Sequence, residues 1–311
     1  MGRHTPVREA AASVSTMWAS RPPATVETRS TTQHQLLTRT PIGAERTVTL
    51  RNPGESQART ATLTAYGDSY SSHETSGYWQ MAGPTTEPVS YGVLEDNIGY
   101  LRIASLEFSP SVPDPVEEVD RAMQHMVDEE VQALIIDVRG NRGGLDTMIP
   151  PMMSYFTPTR LHYEHITYYS RRIKKLRLAS LHVNPNERQF TKPVVVLVDH
   201  RTKSSGEGFG LVAKSLPSVR VVGLYGTDGS FGMASAAVPM PAGIEVIYPW
   251  GQSLDQAWAI QVDSNHLLEG GVQPDLLVPL TFETAKAIYV DGDDVVLDFA
   301  HDALEGQLTG Q

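Results

Sequence analysis

The chain has 311 residues, an apolar content of 40% and a formal net charge of −11, a composition typical of a globular protein with one large and one smaller domain. The acidic balance argues against a nucleic-acid partner, because the densest basic cluster, Arg171–Arg177, is short. Cysteine is absent, which excludes disulfides, thiolate nucleophiles and cysteine-based zinc sites, and no run of about 18 apolar residues predicts a transmembrane segment.

The first ninety residues are predicted to form a β-rich module followed by a linker. Pro6–Ser20 has Ala-rich helical spacing after a Thr-Pro start. Alternating polar and apolar residues predict strands at His34–Thr40, Glu45–Arg51 and Arg59–Ala65, separated by Pro-Ile-Gly and Asn-Pro-Gly turns. Tyr66–Ser90 is rich in Gly, Ser, Thr and Pro, which is typical of a linker.

A β–α–β unit follows the linker. Asn97–Leu106 and Val131–Val138 are predicted strands, and Pro113–Glu130 between them is an acidic amphipathic helix. A crossover of this length joins parallel strands, so we expect a sheet covered by helices.

The second of these strands runs into the polar turn RGNRGG. Gly143 and Gly144 close this turn and would let backbone N–H groups approach a developing oxyanion, although a Gly-Gly pair is also a common turn. Asp137, just before the turn, is expected to orient Arg139 rather than to bind a metal.

The next stretch is predicted to contain a helix and a hairpin. Met148–Phe156 is the helix, with a start or kink at Pro150-Pro151. Arg160–Ser170 and Arg171–Leu181 alternate enough to form the hairpin. His162 and His165 would point to opposite faces of a strand, so the sequence predicts no metal site there and no metal elsewhere.

A second glycine-rich stretch has the same form as the first. Val194–Asp199 is a β-branched, uniformly apolar run that predicts a central strand. Ser204-Ser205-Gly206-Glu207 then begins a helix, where free backbone N–H groups gather positive potential. A serine on such a strand-to-helix elbow is placed to attack a carbonyl. The alternative interpretation is that the serine only caps the N-terminus of the helix.

The downstream segments complete a set of ordered motifs. They are a strand and glycine-rich loop at Val219–Gly232, a strand at Gly243–Tyr248, the segment LEGGVQPDLLVP at Leu268–Pro279, and a closing helix at Asp291–Leu304. With the two glycine-rich stretches, they make the chain from about Tyr91 to Leu304 resemble the tail-specific, or C-terminal-processing, serine proteases and the tricorn protease core.

The resemblance implies an α/β fold of repeated ββα units, close to the ClpP and crotonase architecture. RTPIGAERTVTLR is similar to the closing strands of the PDZ domains inserted in this family. The implied division is a partial PDZ-like domain at 1–65, whose opening strand would precede Met1, a linker at 66–90, the catalytic core at 91–306 and a tail at 307–311.

Transferred residue by residue, the family's S-x-x-E motif makes Ser204 the nucleophile and Glu207 its supporting glutamate, with Ser205 as a nearby competitor. The backbone N–H of Ser205 and that of Gly143 or Gly144 would form the oxyanion hole.

The general base departs from the family pattern. The Ser-Lys branch takes a lysine from the glycine-rich loop, where this chain has Gly229 or Ser230. Lys203 adjoins the serine, but neighbouring residues at a helix start rarely face each other. The tricorn-like branch uses Ser-His-Glu, which makes Glu269 the candidate base-orienting carboxylate, or else a turn carboxylate that holds its loop. Its histidine is expected outside this chain, with His200 and His73 as the alternatives within it.

Three functions are therefore open. The first is a serine endopeptidase that needs no cofactor, acts on peptides or unfolded proteins and is poorly active because it lacks its base. The second is a non-catalytic family member that holds a peptide or an apolar ligand, and the third is a crotonase-type acyl-CoA enzyme. The resemblance also suggests a periplasmic or extracellular bacterial protein, and a homo-oligomer is one expected assembly.

Overall fold

The computed structural model describes residues 5–17, 19, 23–51, 55–69, 87–107, 109–170, 172–234 and 237–309. Within this part of the chain, the helices are α1 (Val7–Ala12), α2 (Val26–Leu37), α3 (Pro115–Asp128), α4 (Ile149–Met153), α5 (Glu207–Ala213), α6 (Phe282–Lys286) and α7 (Val295–Thr309). The strands are β1 (Glu45–Leu50), β2 (Arg59–Thr64), β3 (Val89–Val93), β4 (Ile98–Ile103), β5 (Ala133–Asp137), β6 (Leu161–Ser170), β7 (Lys175–Val183), β8 (Val194–Leu197), β9 (Val219–Gly223), β10 (Met233–Ala234), β11 (Val238–Pro239), β12 (Glu245–Val246), β13 (Pro249–Leu254) and β14 (Leu276–Leu277).

A six-stranded sheet organises the core, in the order β14-β9-β8-β5-β4-β3. Its strands are parallel apart from β3, which pairs antiparallel with β4. The predicted parallel, helix-covered sheet is therefore confirmed. A second, antiparallel sheet has the order β10-β13-β6-β7, and the predicted hairpin forms its β6–β7 pair.

Successive residues of the central strands belong alternately to two apolar clusters on opposite faces of the large sheet. Leu134 and Ile136 of β5 belong to the cluster that includes buried residues of α3, α4 and α5. Ile135, between them, belongs to the cluster that includes α7. The strands β5 and β8 are buried along their whole length, as expected for strands with helices on both sides.

An ion-pair network joins the end of β5 to the start of α7. The carboxylate of Asp137 accepts from Arg139 Nη2 at 2.7 Å and pairs with Arg102 at 2.9 Å, so the predicted pairing of Asp137 with Arg139 is confirmed. Arg139, only 3% exposed, also donates to both carboxylate oxygens of Asp294, at 2.6 and 2.7 Å. Burial opposes both charges, yet the ion pair holds the pKa of Asp137 below its usual value.

The N-terminal expectations are only partly met. The predicted strand at His34–Thr40 is wrong, because Thr25 caps a helix, α2, that runs through Leu37. The predicted helix at Pro6–Ser20 is limited to α1, which ends at Ala12. The other two predicted strands form the antiparallel β1–β2 hairpin. The PDZ assignment therefore stays a prediction, with one strand fewer to support it.

Three further boundaries differ from expectation. β3 begins at Val89, inside the predicted linker, of which residues 70–86 lie outside the described part. The strand expected at Gly243–Tyr248 is reduced to β12, because Gly243 adopts a left-handed turn with φ +72°. α7 continues through Thr309, so residues 307–309 belong to the last helix rather than to a tail.

Candidate active site

The two glycine-rich turns meet at one edge of the large sheet. β5 and β8 are parallel neighbours, so their carboxyl ends, and the turns that follow, lie side by side. Lys203 N donates to the Asn141 carbonyl at 2.9 Å across the turns. A Cβ built on Gly143 would lie 2.8 Å from Ser204 Cβ, so any other residue here would force the serine or the turn to shift. The predicted proximity of the two turns is observed.

Asp199 fastens the turns together. Its Oδ1 accepts from the Gly140 N–H in the first turn at 2.8 Å and from the Thr202 N–H in the second at 2.9 Å. Burial opposes the charge, but Arg201, whose Nε donates at 2.8 Å, and the backbone donors hold the pKa of Asp199 well below its usual range. The sequence pattern predicts Asp199 only as the end of a strand, although a carboxylate directly after a strand is typical of an Asx turn.

Ser204 occupies a strained strand-to-helix elbow. Its φ is +53°, in the left-handed region that costs a non-glycine residue about 1–2 kcal/mol. The residue opens a short 3₁₀ turn, Ser204–Gly206, between β8 and α5, and its side chain is half-buried. A sharp elbow of this kind is how α/β hydrolases present a nucleophilic serine. Ser205, by contrast, is 1% exposed, and its hydroxyl donates to the Gly144 carbonyl at 3.1 Å.

The backbone donors beside Ser204 differ from one another. Gly143 N–H donates to Asn141 Oδ1 at 2.8 Å and is therefore already engaged. Gly144 N–H and Ser205 N–H donate to no acceptor in the described part of the chain. Of the two glycines expected as oxyanion donors, Gly144 is thus the one with an available N–H, because the fully buried Asn141 side chain takes the other.

Asn141 itself was not singled out from the sequence. It has no solvent exposure, and its Nδ2 donates to the Ile103 carbonyl of β4 at 2.9 Å. One amide side chain thereby fixes the glycine turn to the sheet and accepts the hydrogen bond of the Gly143 N–H. An Asn two residues before a glycine in a turn is the local signal that could have revealed this role.

Glu207 holds the loop that follows β9. Its buried carboxylate accepts from Thr227 Oγ1 and from the N–H groups of Gly229 and Ser230, both at 2.9 Å. Burial raises the pKa of Glu207 to about 7, against the pull of these donors. Glu207 therefore positions the loop where the lysine of the Ser-Lys branch would lie.

Lys203 and His200, the two candidate bases within the described residues, are held by other contacts. Lys203 Nζ lies 3.3 Å from Asp228 Oδ2, in an ion pair beside the same loop. The His200 ring packs edge-on against Tyr225 with centroids 5.9 Å apart, and burial lowers its pKa. His73 lies outside the described residues. Across the described ranges, the Ser204 hydroxyl makes no hydrogen bond to a basic side chain.

Glu269 lies in an exposed loop. Its Oε2 accepts from Asn265 Nδ2 at 3.0 Å, and Asn265 N donates to the Glu269 carbonyl, also at 3.0 Å. These contacts agree with the alternative interpretation of Glu269 as a turn carboxylate that holds its own loop. Among the described residues, no histidine forms a hydrogen bond or ion pair with Glu269, so its catalytic role stays a prediction.

The start of α2 lies against the loop after β9. Thr28 Oγ1 donates to Asp228 Oδ1 at 2.9 Å, and a Cβ on Gly229 would lie 3.0 Å from Thr25 Cγ2. The buried Thr25 thus serves both as the helix N-cap and as a packing partner of this loop. Sequence patterning did not reveal this contact, because it joins segments about 200 residues apart.

The predicted opposition of His162 and His165 is wrong. β6 has a bulge between His162 and Glu164, so the two imidazoles come to the same side, with ring centroids 4.3 Å apart. His165 also stacks on Trp258 at 4.2 Å.

A parallel α/β sheet with a strained serine and, within the described ranges, two backbone N–H groups without an acceptor at the carboxyl ends of its strands is an arrangement typical of hydrolase sites. The sequence model of peptidase family S41 matches residues 97–278, which is more than half of the chain. The chain belongs to this family, whose members are serine peptidases.

Among curated proteins, the chain is 26% identical over 213 residues to the carboxy-terminal processing protease CtpB of Bacillus subtilis (strain 168), a match that covers 64% of this chain and 39% of CtpB. It is 27% identical over 210 residues to CtpA of the same organism, which covers 67% of this chain and 40% of CtpA. The chain thus spans about two fifths of the length of these bacterial relatives.

Solved structures agree on the fold. Mature CPAF in complex with lactacystin superposes with a TM-score of 0.67 at 18% identity, covering 98% of this chain and 77% of CPAF. A candidate peptidase from Parabacteroides merdae ATCC 43184 gives 0.54 at 25% identity, covering 70% of this chain and 65% of that one. Across the described ranges, none of the helices has the length and apolar character needed to cross a membrane.

Proposed function

We propose that the chain carries the nucleophilic centre of a serine peptidase, with Ser204 as the nucleophile. The observation that supports this most directly is the strained Ser204 elbow beside two N–H groups, of Gly144 and Ser205, that have no described acceptor. The family membership supports the same reaction class. It also argues against the crotonase-type alternative, which rested on architecture alone.

In the proposed reaction, Ser204 Oγ attacks the carbonyl carbon of a peptide bond and transfers its proton to a base. The carbonyl oxygen becomes an oxyanion and accepts hydrogen bonds from Gly144 N–H and Ser205 N–H, each worth a few kcal/mol. Collapse of this intermediate breaks the C–N bond, and the amine leaves with a proton. Water then attacks the acyl-Ser204 ester, which releases the acid and restores the hydroxyl.

Two groups would position this machinery without touching the substrate. Asn141 fixes the glycine turn to β4, and Glu207 fixes the loop after β9. Neither described candidate base is placed to accept the proton of Ser204, because Lys203 is paired with Asp228 and His200 packs on Tyr225. We therefore expect slow peptide turnover by this chain, since serine without a base is a poor nucleophile.

The test is labelling with a fluorophosphonate probe, followed by peptide mapping. Ser204→Ala should abolish labelling, whereas Ser205→Ala should retain it, because that change keeps the Ser205 N–H and removes only a buried hydroxyl. Labelling at Ser205, or equal labelling of wild type and Ser204→Ala, would contradict the assignment.

A second candidate, a non-catalytic member that binds peptides, is favoured by the absence of a base contact at Ser204 in the described residues. It predicts no labelling at Ser204 together with measurable binding of unfolded protein. For either function we propose peptides or unfolded proteins as ligands and a location outside the cytoplasm. A homo-oligomer, also proposed, is tested by light scattering.

A further inference from the structure

The basic cluster Arg171–Arg177 takes no part in the proposed chemistry, and it belongs to the tip of the β6–β7 hairpin, defined here as residues 169–180. From His165 to Asn186 the sequence has no aspartate or glutamate, and its five lysines and arginines all fall within the cluster. The formal net charge of the whole chain is −11. The hairpin tip is therefore opposite in charge to the protein that carries it.

The positive charge of the tip is not neutralised within the described part of the chain. Its described basic side chains are all exposed, and none of them forms an ion pair or a side-chain hydrogen bond with another described residue. They are Arg172, Lys174, Lys175 and Arg177. An exposed lysine elsewhere behaves differently, since Lys214 pairs with Asp275. The tip thus offers its charge to a partner outside the described structure.

The outer part of β7 is uncovered on both faces. β7 is the edge strand of the antiparallel sheet, and every residue from Lys175 to Ser180 is exposed. Because side chains of a strand alternate between its two faces, no described element covers either face of this stretch. The strand becomes buried only at Val183, so the tip projects from the body of the protein.

The register of the hairpin separates an apolar face from a basic one. Tyr169 lies opposite Leu176, and Leu178 follows two residues along the strand, so these three side chains share one face. They are 46%, 78% and 52% exposed. Lys175 and Arg177 alternate with the leucines and therefore lie on the other face. The tip is an amphipathic hairpin with an exposed apolar side.

The size of the tip favours a membrane surface over a protein partner. The tip has 12 residues, whereas a standard protein–protein interface uses about 20–30 residues a side. A lipid surface does not require that area, because anionic headgroups attract each nearby lysine or arginine and the acyl boundary accepts single apolar side chains. The long stems of lysine and arginine let their charged ends stay among the headgroups while neighbouring leucines insert.

We propose that the β6–β7 tip docks the protein on an anionic phospholipid surface. Tyr169, Leu176 and Leu178 enter the boundary between headgroups and acyl chains, and Lys175 and Arg177 contact the lipid phosphates. The proposal does not depend on the peptidase assignment, because it uses no residue of the candidate site.

The hairpin is nevertheless continuous with the candidate site. A Cβ built on Gly208 of α5 would lie 2.3 Å from Tyr163 Oη, so the base of β6 packs on the helix that follows the Ser204 elbow. From Tyr163 to Ser170, β6 spans about 25 Å at a rise of about 3.4 Å per residue. Docking through the tip would therefore hold the serine within a few tens of ångströms of the lipid surface.

Co-sedimentation of the full chain with lipid vesicles tests the proposal. Vesicles of phosphatidylcholine with about 30% phosphatidylglycerol should bind the chain, and vesicles of phosphatidylcholine alone should bind it at least about tenfold more weakly. Binding to the anionic vesicles should weaken as salt is raised, because the headgroup attraction is screened. Equal binding to both vesicles, or no binding to the anionic ones, overturns the proposal.

Two double variants separate the basic face from the apolar one. Lys175→Gln with Arg177→Gln should lower the partition coefficient about 25-fold, since each basic residue near an anionic surface contributes about fivefold. Leu176→Ser with Leu178→Ser should lower it at least about tenfold, because buried leucine area is lost. All four side chains are exposed, so the urea midpoint should match that of the wild type and show that both variants fold.

The β1–β2 hairpin supplies the matched control. Arg46 and Arg59 are exposed on this other antiparallel pair, and Arg46→Gln with Arg59→Gln removes the same charge. The control should change the partition coefficient by less than about twofold. An equal loss in the control, or full binding by either tip variant, contradicts the assignment. A dimer in light scattering that dissociates in Leu176→Ser with Leu178→Ser would assign the apolar face to a second copy and overturn the lipid proposal.

Discussion

Substitution of Gly143 by alanine tests whether close contact with Ser204 organises the site. Gly143 has φ +88°, and an added Cβ would lie 2.8 Å from Ser204 Cβ, 2.9 Å from Ser205 N and 3.0 Å from Lys203 O. Gly292 is the matched control, because its φ is +83° and an added Cβ would meet nothing within 4 Å.

The two substitutions share the backbone strain and differ in the contact. Left-handed strain alone should lower the free energy of unfolding by about 1 kcal/mol in Gly292→Ala. In Gly143→Ala, overpacking against three atoms adds about 1–3 kcal/mol, for a total of about 2–4 kcal/mol. The serine elbow must also shift by several tenths of an ångström. Misplacement on the ångström scale costs about 100-fold in rate, so labelling of Ser204 should slow well beyond its rate in the control.

Urea unfolding gives the stabilities, and the rate of fluorophosphonate labelling at Ser204 gives the geometry of the site. A constant m-value in both variants would show that only native-state stability has changed. Equal destabilisation by Gly143→Ala and Gly292→Ala, with equal labelling rates, would show that contact with Ser204, the proposed nucleophile, does not require a glycine at position 143.

Three further predictions concern buried polar side chains. Asn141→Ala should destabilise the chain by about 1–3 kcal/mol and slow labelling, because it releases the glycine turn, and unfolding together with labelling measures both effects. Burial, with the charge of Asp146, raises the pKa of Glu164 to about 7, so the folded protein keeps a proton that the unfolded chain releases above pH 4.5. The contribution of Glu164 to stability should then fall as pH rises from 4.5 to about 7, by at most about 1.4 kcal/mol per pH unit. Glu164→Gln should reduce the slope in pH-dependent unfolding to the part that Glu207 contributes, and Glu129→Gln should leave the slope unchanged. Asp199→Asn should cost about 2–3 kcal/mol near neutral pH, and progressively less as pH falls below about 4, because the carboxylate of the unfolded chain then takes up a proton while the folded one stays ionised. An unchanged difference at low pH would contradict its role as an ionised anchor.

The parallel core could be predicted because burial on both faces gives uniform apolar runs. Val194–Leu197 has no polar residue and Ala133–Asp137 has one only at its end, and in the fold each is buried throughout. The proximity of their following turns then depends only on the two strands being parallel neighbours. This is why Ser204 and the glycine turn could be placed together from the sequence.

Long-range and irregular features could not be predicted in this way. The pattern at His34–Thr40 alternates like a strand, but the Thr25 cap and contacts with the distant Asp228 loop favour helix α2. The bulge at Tyr163 adds one residue to β6 and reverses the side-chain alternation, which no periodicity rule detects. Which glycine N–H remains available depended on the rotamer of one buried amide, Asn141.

The bond between Arg139 and Asp294 spans 155 residues of sequence. At roughly 5–20 residues per second, a ribosome needs about 10–30 seconds to make the segment between them. During that interval the arginine beside the glycine turn has, of its two acidic partners in the described part of the chain, Asp137 alone, and α7 has yet to cover its face of the sheet. The face of β5 that packs against α7 is therefore covered only after Asp294 and α7 have been translated, so a nascent chain gains this support for the strand before the glycine turn well after the turn itself has been made.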